Sequence, residues 1–148
     1  MTKATAILTS LLLGGTLLSA PAMADEQQTI MVYKTPTCGC CTKWVSHLRN
    51  SGFEVQTTDL SDLRMIKKMS GIEPKLASCH TALVDGYTIE GHVPAADIER
   101  LLAERPDAKG LTVPGMPMGS PGMEHPNPQR YQVMLLDNDG NTEVFATH

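Results

Sequence analysis

Apolar and polar positions follow a regular pattern in the first half of the chain, and the spacing changes from strand-like to helix-like at a cysteine-rich turn. Residues 29–35 (TIMVYKT) are mainly β-branched and aromatic, which is typical of a strand, and Pro36 ends it. A helix then begins near Cys38, with Thr37 as its cap. Its apolar face follows helical spacing and consists of Cys41, Trp44, Val45 and Leu48.

The next segment predicts a second strand and a shorter helix. Residues 51–52 (Ser-Gly) stop the first helix, and residues 53–58 form the strand. Residues 62–69 form the helix, which Gly71 and Pro74 terminate. Its predicted inward positions are Leu63, Ile66 and Met69.

A hairpin and a third helix follow. Residues 81–84 and 87–93 are predicted strands, and the Asp-Gly pair at 85–86 between them is a strong turn signal. Residues 94–105 form a helix with proline at its first position. The apolar face of this helix consists of Ala95, Ile98, Leu101 and Leu102.

The C-terminal part predicts a loop and a last hairpin. Residues 109–130 form a long loop rich in proline and glycine, and residues 131–145 form a hairpin that turns at 138–141. The order β-α-β-α-β-β-α, followed by this C-terminal loop and extra β-hairpin, is that of a thioredoxin-like α/β domain. In such a fold the segment before the third strand lies against the cysteine-bearing turn. We therefore expect Cys79 and His80 to lie beside the cysteines of the first helix.

The first 24 residues have the pattern of a signal peptide. Lys3 supplies a short positive region, an apolar run covers 4–18, and the motif Ala-Met-Ala at 22–24 is a typical cleavage site. The run is short for a transmembrane helix, and no second apolar stretch exists. We predict export to the periplasm, with residues 25–148 as a single metal-binding domain; an uncleaved N-terminal anchor is the alternative.

Charge excludes some partners. The formal net charge is −4 at pH 7, and the sequence contains no basic stripe, so a nucleic-acid partner is not expected. No membrane association is expected once the signal peptide is removed. The mild acidity suits a soluble protein that meets cations, but by itself it identifies no ligand.

The four cysteines carry the distinctive chemistry of the chain. Cys38, Cys40 and Cys41 lie within one turn, and Cys79 follows far along the sequence. Cys38 and Cys41 make a C-x-x-C, the spacing of redox dithiols and of metal clips. An even number of cysteines in an exported chain also suggests structural disulfides. The spacing favours a metal or redox role, because adjacent cysteines rarely pair and a Cys38–Cys41 bridge closes too small a loop to stabilise the fold much.

A crowded set of thiolates favours copper over zinc. Unpaired N–H groups and the helix dipole favour the thiolate form of cysteines at a helix N-terminus. Four thiolates can hold one tetrahedral ion or several copper(I) ions in a small bridged cluster, and copper(I) prefers soft sulfur ligands. Zinc is the competing interpretation, but zinc sites usually use two well-separated C-x₂₋₄-C pairs.

Further ligand candidates lie outside the cysteines. Thioethers also select copper(I), although methionine commonly fills gaps in a core. His80 adjoins Cys79 and is a candidate ligand or hydrogen-bond partner, and His125 is a weaker one. The auxiliary candidates are Met116, Met118, Met123 and His80. The histidines expected to be solvated are His47, His92 and His148.

Four segments together resemble a known family. The signal peptide, the motif VYKTPTCGCCTKWVSHL and the later stretches SCHTALVDGYTIEGHVP and VPGMPMGSPGME resemble the CopG-type small periplasmic copper-resistance proteins. The resemblance covers nearly all of the predicted mature chain. It implies a thioredoxin-like domain that binds copper in a multinuclear, thiolate-bridged cluster and interconverts copper(I) and copper(II). On this resemblance the metal ligands are Cys38, Cys40, Cys41 and Cys79.

Three hypotheses of function follow. The first is a copper-binding resistance protein, with other periplasmic copper-handling proteins as partners and with a copper oxidoreductase activity left open. The second is a thiol–disulfide oxidoreductase that uses Cys38 and Cys41; Cys40 and Cys79 disfavour it, because either thiol can divert a mixed disulfide. The third is a disulfide-stapled interaction domain.

Overall fold

A computed structural model describes residues 28–148. The predicted signal peptide, residues 1–24, lies outside the described residues. No helix in the described part of the chain is long and apolar enough to cross a membrane. The elements are β1 (Thr29–Lys34), α1 (Gly39–Asn50), β2 (Glu54–Asp59), α2 (Arg64–Met69), a 3₁₀ turn (Pro74–Leu76), β3 (Thr81–Val84), β4 (Tyr87–Glu90), α3 (Ala95–Glu104), β5 (Gly110–Thr112), β6 (Gln132–Leu136) and β7 (Thr142–Thr147).

The seven strands form one sheet in the order β2-β1-β3-β4-β5-β6-β7. β1 runs parallel to β2 and antiparallel to β3, and β3 and β4 form the expected hairpin. β5 is parallel to β4, and β6 and β7 complete the sheet as an antiparallel pair. The predicted α/β class and C-terminal hairpin are confirmed, whereas the assignment to thioredoxin-like proteins stays a prediction.

Buried apolar residues of the sheet, α1 and α3 form the main core, and Ile72, Leu76 and Leu136 form a second, smaller cluster. Every second residue of β1 is buried, which matches the two-residue repeat of a strand with one covered face. Helix α1 buries the apolar face predicted for it, and the Trp44 indole N–H donates to the Val93 carbonyl at 2.8 Å. The largest fully buried apolar side chains are Ile30, Trp44, Leu48, Ile89, Ile98, Leu101, Leu111 and Leu136.

Four details differ from the sequence predictions. Cys38, and not Thr37, is the N-cap of α1. Met69 was predicted to face inward but is 77% exposed, because the six-residue helix α2 lies at the surface. β4 ends at Glu90 rather than at 93, since Gly91 takes a positive φ of 75°. The predicted loop 109–130 contains the short strand β5.

Candidate metal centre

The N-terminus of α1 presents the cysteine triplet. The Cys38 Sγ accepts a hydrogen bond from the Cys41 N–H at 3.3 Å, as an N-cap side chain does. Cys38 and Cys41 form a disulfide with their Cα atoms 5.3 Å apart, whereas Cys40 and Cys79 are free thiols. Cys41 is fully buried and the other three cysteines are partly exposed. The structure therefore presents the oxidised form of the C-x-x-C.

Cys79 joins the triplet because of how the strands pair. Tyr33 of β1 is opposite Thr81 of β3, so the residues just after β1 and just before β3 meet at the same end of the sheet. The Cys79 Sγ lies 3.4 Å from the Cys41 Sγ. All four sulfur atoms lie within 4.8 Å of one another. The expected proximity of Cys79 to the triplet is confirmed; a ligand role for the four sulfurs stays a prediction.

Two buried histidines face the Cys79 thiol. The His80 Nδ1 lies 3.3 Å and the His92 Nε2 lies 2.9 Å from the Cys79 Sγ. His92 was expected to be solvated, and this prediction is wrong, because the side chain is fully buried. The His80 ring lies against the Trp44 ring with centroids 4.2 Å apart, and its Nε2 has no hydrogen-bond partner among the described residues.

Hydrogen bonding fixes the tautomer of His92. The His92 Nδ1 lies 2.7 Å from the Pro121 carbonyl oxygen. A carbonyl only accepts hydrogen bonds, so Nδ1 carries the proton and Nε2 offers a lone pair to Cys79. The Cys79 thiol then donates to the His92 Nε2. The arrangement already aims an imidazole lone pair at a sulfur.

Burial keeps this group of side chains neutral. Desolvation, followed by the nearby Cys40, raises the pKa of the Cys79 thiol to about 12. Burial holds the pKa of His80 well below its usual value, with His92 and Lys67 adding to the effect, and burial also lowers the pKa of His92. The helix dipole favours the thiolate form of cysteines in the first turn of α1, but Cys79 lies outside that turn. A metal ion that binds here must displace the proton of Cys79.

The other histidines do not belong to the cluster. His47 was expected to be solvated, but it is half-buried and its Nε2 accepts the Ala95 N–H at the start of α3, at 3.1 Å. His148 is exposed and lies 2.7 Å from the Asp97 carboxylate. His125 is exposed and contacts only the neighbouring Asn127 backbone through hydrogen bonds.

A buried carboxylate anchors the segment that carries Cys79. Glu90 is fully buried, and its Oε1 accepts hydrogen bonds from the Ser78 N–H at 2.6 Å and from the Lys67 Nζ at 2.5 Å. Its Oε2 accepts from the Thr81 hydroxyl at 2.7 Å. The residues on either side of Cys79 and His80 are thus tied to one charged group. Glu90 was not singled out from the sequence, where it occupies a strand position.

The C-terminal loop closes over the cysteine turn at Gly122. A Cβ at this position would lie 2.6 Å from the Cys40 carbonyl oxygen and 2.9 Å from the backbone nitrogen of Trp44. Pro121, the preceding residue, provides the carbonyl that orients His92. The C-terminal loop therefore packs directly against the cysteine turn, a contact that the sequence alone did not predict. Met116 is exposed, and Met118 and Met123 are half-buried; their role as ligands stays a prediction.

Two solved structures are similar to most of this chain. They are described as copper resistance protein CopG, form 1 and form 2, and each is 44% identical to the chain with a TM-score of 0.79. Each covers 83% of this chain and nearly all of its own, 98% and 99% respectively. This chain belongs to the CopG family of copper resistance proteins.

A family model matches a shorter part of the chain, which follows the cysteine triplet and contributes the remaining residues of the site. A family model described as a protein of unknown function, DUF411, matches residues 76–123, which contain Cys79, both cluster histidines and Gly122. No curated protein sequence matches the chain significantly. Membership of the CopG family therefore rests on the two solved structures.

Two overlapping groups of side chains in this CopG-family protein can hold a metal ion. One is the four-sulfur group of Cys38, Cys40, Cys41 and Cys79, and the other is Cys79 with His80 and His92. The donor atoms in each group lie within 4.8 Å of one another. Soft sulfur donors suit copper(I), and the group with two imidazoles suits ions of intermediate softness. Cys79 is common to both groups.

Replacement of Gly122 by alanine should loosen the loop from the cysteine turn. Gly122 has φ of +86°, and an added Cβ would clash with the Cys40 and Trp44 backbone. Gly115 in the same loop has φ of +71°, but a Cβ added there would meet nothing within 4 Å, so Gly115→Ala is a matched control for backbone strain alone. We expect Gly122→Ala to lower the free energy of unfolding by about 1–3 kcal/mol more than Gly115→Ala. Equal losses in urea unfolding would contradict the close contact.

Proposed function

We propose that this CopG-family chain is a periplasmic copper-binding protein of copper resistance. After removal of residues 1–24, residues 25–148 would act as one metal-binding domain. The protein would hold copper(I) on the thiolates of Cys38, Cys40, Cys41 and Cys79. The observation that carries the proposal is the convergence of four sulfur atoms within 4.8 Å, from two segments distant in sequence.

The donor chemistry supports copper(I) as the ion. Thiolates bridge soft ions readily, so four sulfurs at this separation suit a multinuclear cluster with shared ligands. Met116, Met118 and Met123 are the auxiliary ligands we propose from the loop that reaches the cysteine turn at Gly122. The cluster needs the Cys38–Cys41 disulfide to be reduced first, because a disulfide sulfur carries no thiolate charge.

The disulfide also links copper binding to a change of copper oxidation state. Reduction of the Cys38–Cys41 bond takes up two electrons and yields two thiolates. In the opposite direction, the two thiolates release two electrons when they close to the disulfide, and two copper(II) ions take them up to become copper(I), so the exchange balances without another reactant. Interconversion of copper(I) and copper(II) is therefore part of the proposal, with other periplasmic copper-handling proteins as the source or recipient of the ions.

A thiol–disulfide oxidoreductase is the second candidate, and one observation favours it. The Cys38–Cys41 disulfide lies at the N-terminus of α1, where helix dipoles activate cysteines for exchange. Cys38 is partly exposed and can be attacked from solvent. A disulfide-stapled domain is less well supported, because the one disulfide spans a sequence separation of 3 and leaves two cysteines free.

Metal analysis of the fully reduced protein tests the copper proposal. Reduced protein loaded with copper(I) and freed of excess metal should retain more than one copper ion per chain. It should keep that copper when challenged with zinc, because soft thiolates select copper(I). A free-thiol count before loading verifies that all four cysteines are reduced. One zinc ion per chain that copper(I) does not displace would refute the proposal.

A further inference from the structure

The short helix α2 and the 3₁₀ turn that follows it line a groove outside the four-sulfur group. The groove has a volume of about 700 Å³, which is within the range of protein sites that bind small ligands. Its apolar lining residues are Ile72, Pro74 and Ala77, and its cationic lining residues are Arg64, Lys67 and Lys68. An apolar lining with cations beside it suits a ligand that is both amphipathic and negatively charged.

Positive charge is concentrated on this part of the chain. Residues 64–75 contain four basic residues and one acidic residue, whereas the whole chain has a formal net charge of −4. The acidic residue, Glu73, already pairs with Lys75 at 3.0 Å. The groove is therefore a positive region on a protein that is negative elsewhere, and it favours an anionic partner.

Two ammonium groups at the groove have no anionic partner among the residues that the structure describes. The other two lining cations already have carboxylate partners. Lys68 is exposed, and its side chain makes no ion pair or hydrogen bond within residues 28–148. The same holds for Lys109, whose Nζ lies 2.7 Å from the position that a Cβ on the lining residue Gly71 would take. Both ammonium groups are free to bind carboxylates of a second molecule.

Helix α2 itself has an exposed apolar face. The helix has six residues, and none of them is fully buried. Met65 and Met69 are one helical turn apart and are 70% and 77% exposed, so they present their thioethers to solvent on one face. A helix this short gains its stability from packing against other groups, and flexible methionines are common on surfaces that bind partners. These features suit contact with a second molecule.

We propose that this groove docks an acidic segment of a partner protein. Carboxylates of the segment would bind Lys68 and Lys109, and one bulky apolar side chain would pack against the apolar lining residues. Ala77 lines the groove and lies two residues before Cys79, so the docked partner would lie beside the segment that carries this thiol. The inference deepens the proposed function, on which it rests only for the copper that the partner would exchange.

An acidic protein segment fits this surface better than a membrane does. Helices that lie on membranes usually present tryptophan, phenylalanine or leucine to the lipid. In the described part of the chain, the exposed large apolar residues are Met65, Met69, Met116 and Val144. The negative net charge of the chain also opposes binding to anionic lipids.

Titration of the metal-free, isotope-labelled protein with a synthetic peptide tests the docking. The probe is an acidic peptide with a single leucine between glutamates, and NMR spectra report which backbone amides it affects. We expect the amide signals of residues 64–77 to shift and those of β7 to stay in place. Binding should weaken as salt is added, because the attraction is between exposed charges. The same peptide with lysines in place of the glutamates should not bind.

Variants of the protein and of the probe separate the charged contact from the apolar one. Lys68→Glu should weaken binding by at least about fivefold, since one attraction is replaced by a repulsion. Lys43→Glu is the matched control, because it changes the net charge equally at an exposed position of α1 that does not line the groove; it should change the affinity by less than about twofold. A serine in place of the leucine of the probe should also weaken binding by at least about fivefold.

Several results would overturn the inference. They are equal effects of Lys68→Glu and Lys43→Glu, equal binding of the leucine and serine peptides, and signal shifts confined to residues outside 64–77. Tighter binding of Lys68 to phosphatidylglycerol vesicles than to the peptide would assign the surface to a membrane. A dimer whose interface covers residues 64–77 would assign it to a second copy of the chain.

Copper loading of the reduced protein, measured in parallel, separates this inference from the proposed function. If the protein retains copper(I) but does not bind the peptide, only the docking groove fails. If the peptide binds but copper(I) is not retained, the groove stands and the proposed function fails. Lys68→Glu should retain as much copper(I) as the parent protein, because Lys68 lies outside the four-sulfur group.

Discussion

Replacement of Cys40 by serine should sharply reduce the copper(I) content of the reduced protein. Cys40 lies between the two cysteines of the C-x-x-C, and its Sγ is 3.5 Å from the Cys38 Sγ. In a thiolate-bridged cluster every sulfur contacts more than one ion, so losing one sulfur removes several bonds. We expect the copper retained per chain to fall to one ion or fewer and the affinity for copper(I) to drop by about 10–100-fold, the range known for perturbed metal sites.

The same variant separates a copper cluster from a dithiol enzyme. A thioredoxin-type reductase needs only Cys38 and Cys41, so Cys40→Ser would leave its turnover of insulin disulfides intact. We expect weak or absent reductase activity in the parent protein and lost copper in the variant. Ser46→Ala, at an exposed position on α1, is the control for a change on the same helix. Normal copper loading together with robust reductase turnover in Cys40→Ser would favour the oxidoreductase.

Replacement of Glu90 by alanine should lower the free energy of unfolding by about 3 kcal/mol, because it removes one partner of a buried ion pair and leaves the other unpaired. Glu90 is fully buried and accepts hydrogen bonds from three groups, and its partner Lys67 has a side chain only 15% exposed. The substitution leaves the Ser78 N–H, the Thr81 hydroxyl and the Lys67 ammonium without their acceptor. The lower end of the known range is expected, because Lys67 retains some access to water.

Urea unfolding of two further variants makes this prediction specific. Glu104→Ala removes an exposed glutamate that pairs with Arg100 at 3.7 Å on α3, and should cost less than ~0.5 kcal/mol. Glu90→Leu combined with Lys67→Met removes both charges and should cost less than Glu90→Ala alone. A loss for Glu90→Ala no larger than that for Glu104→Ala would show that the pair contributes little.

Most helices and strands could be predicted from the sequence, because their apolar residues recur at the spacing of a helix or a strand and turn residues mark their ends. The strand at 29–34 and the helix at 39–50 have the periodicity of a half-buried strand and of an amphipathic helix, and the Asp-Gly turn at 85–86 marks the strand at 81–84. β5 was missed, because three residues, Gly110 to Thr112, give no period. Its strand conformation depends on parallel pairing with β4, which no local pattern encodes.

The cysteines of the centre were predictable, but its histidines were only partly so. The spacing of the triplet identified the chemistry, and the element order predicted that Cys79 would reach it. His92 was missed although a signal existed: the two-residue turn at 85–86 fixes the hairpin register, in which Thr81 is opposite Glu90. Continuing this register two residues further places His92 opposite Cys79, and the Gly91 N–H bond to the His80 carbonyl at 3.1 Å agrees with it.

The redox state could not be obtained from spacing. A C-x-x-C serves a disulfide and a metal clip equally well, because both need sulfurs a few ångströms apart at a helix start. The anchoring by Glu90 was equally hidden, since a glutamate in a strand usually faces solvent. Its burial depends on Lys67, Ser78 and Thr81, which come together only in the folded chain.

Because Cys79 is distant in sequence from the triplet, its sulfur joins the other three only after part of the chain has folded. Three neighbouring cysteines can capture an ion in a newly made, unfolded chain, but the fourth sulfur arrives only when β3 pairs with β1. Closing so large a loop is slower than forming a helix turn. We expect an ion captured early to exchange quickly with the surroundings and to become slowly exchanging once the sheet is complete. Folding would then act as the step that commits the ion to the protein.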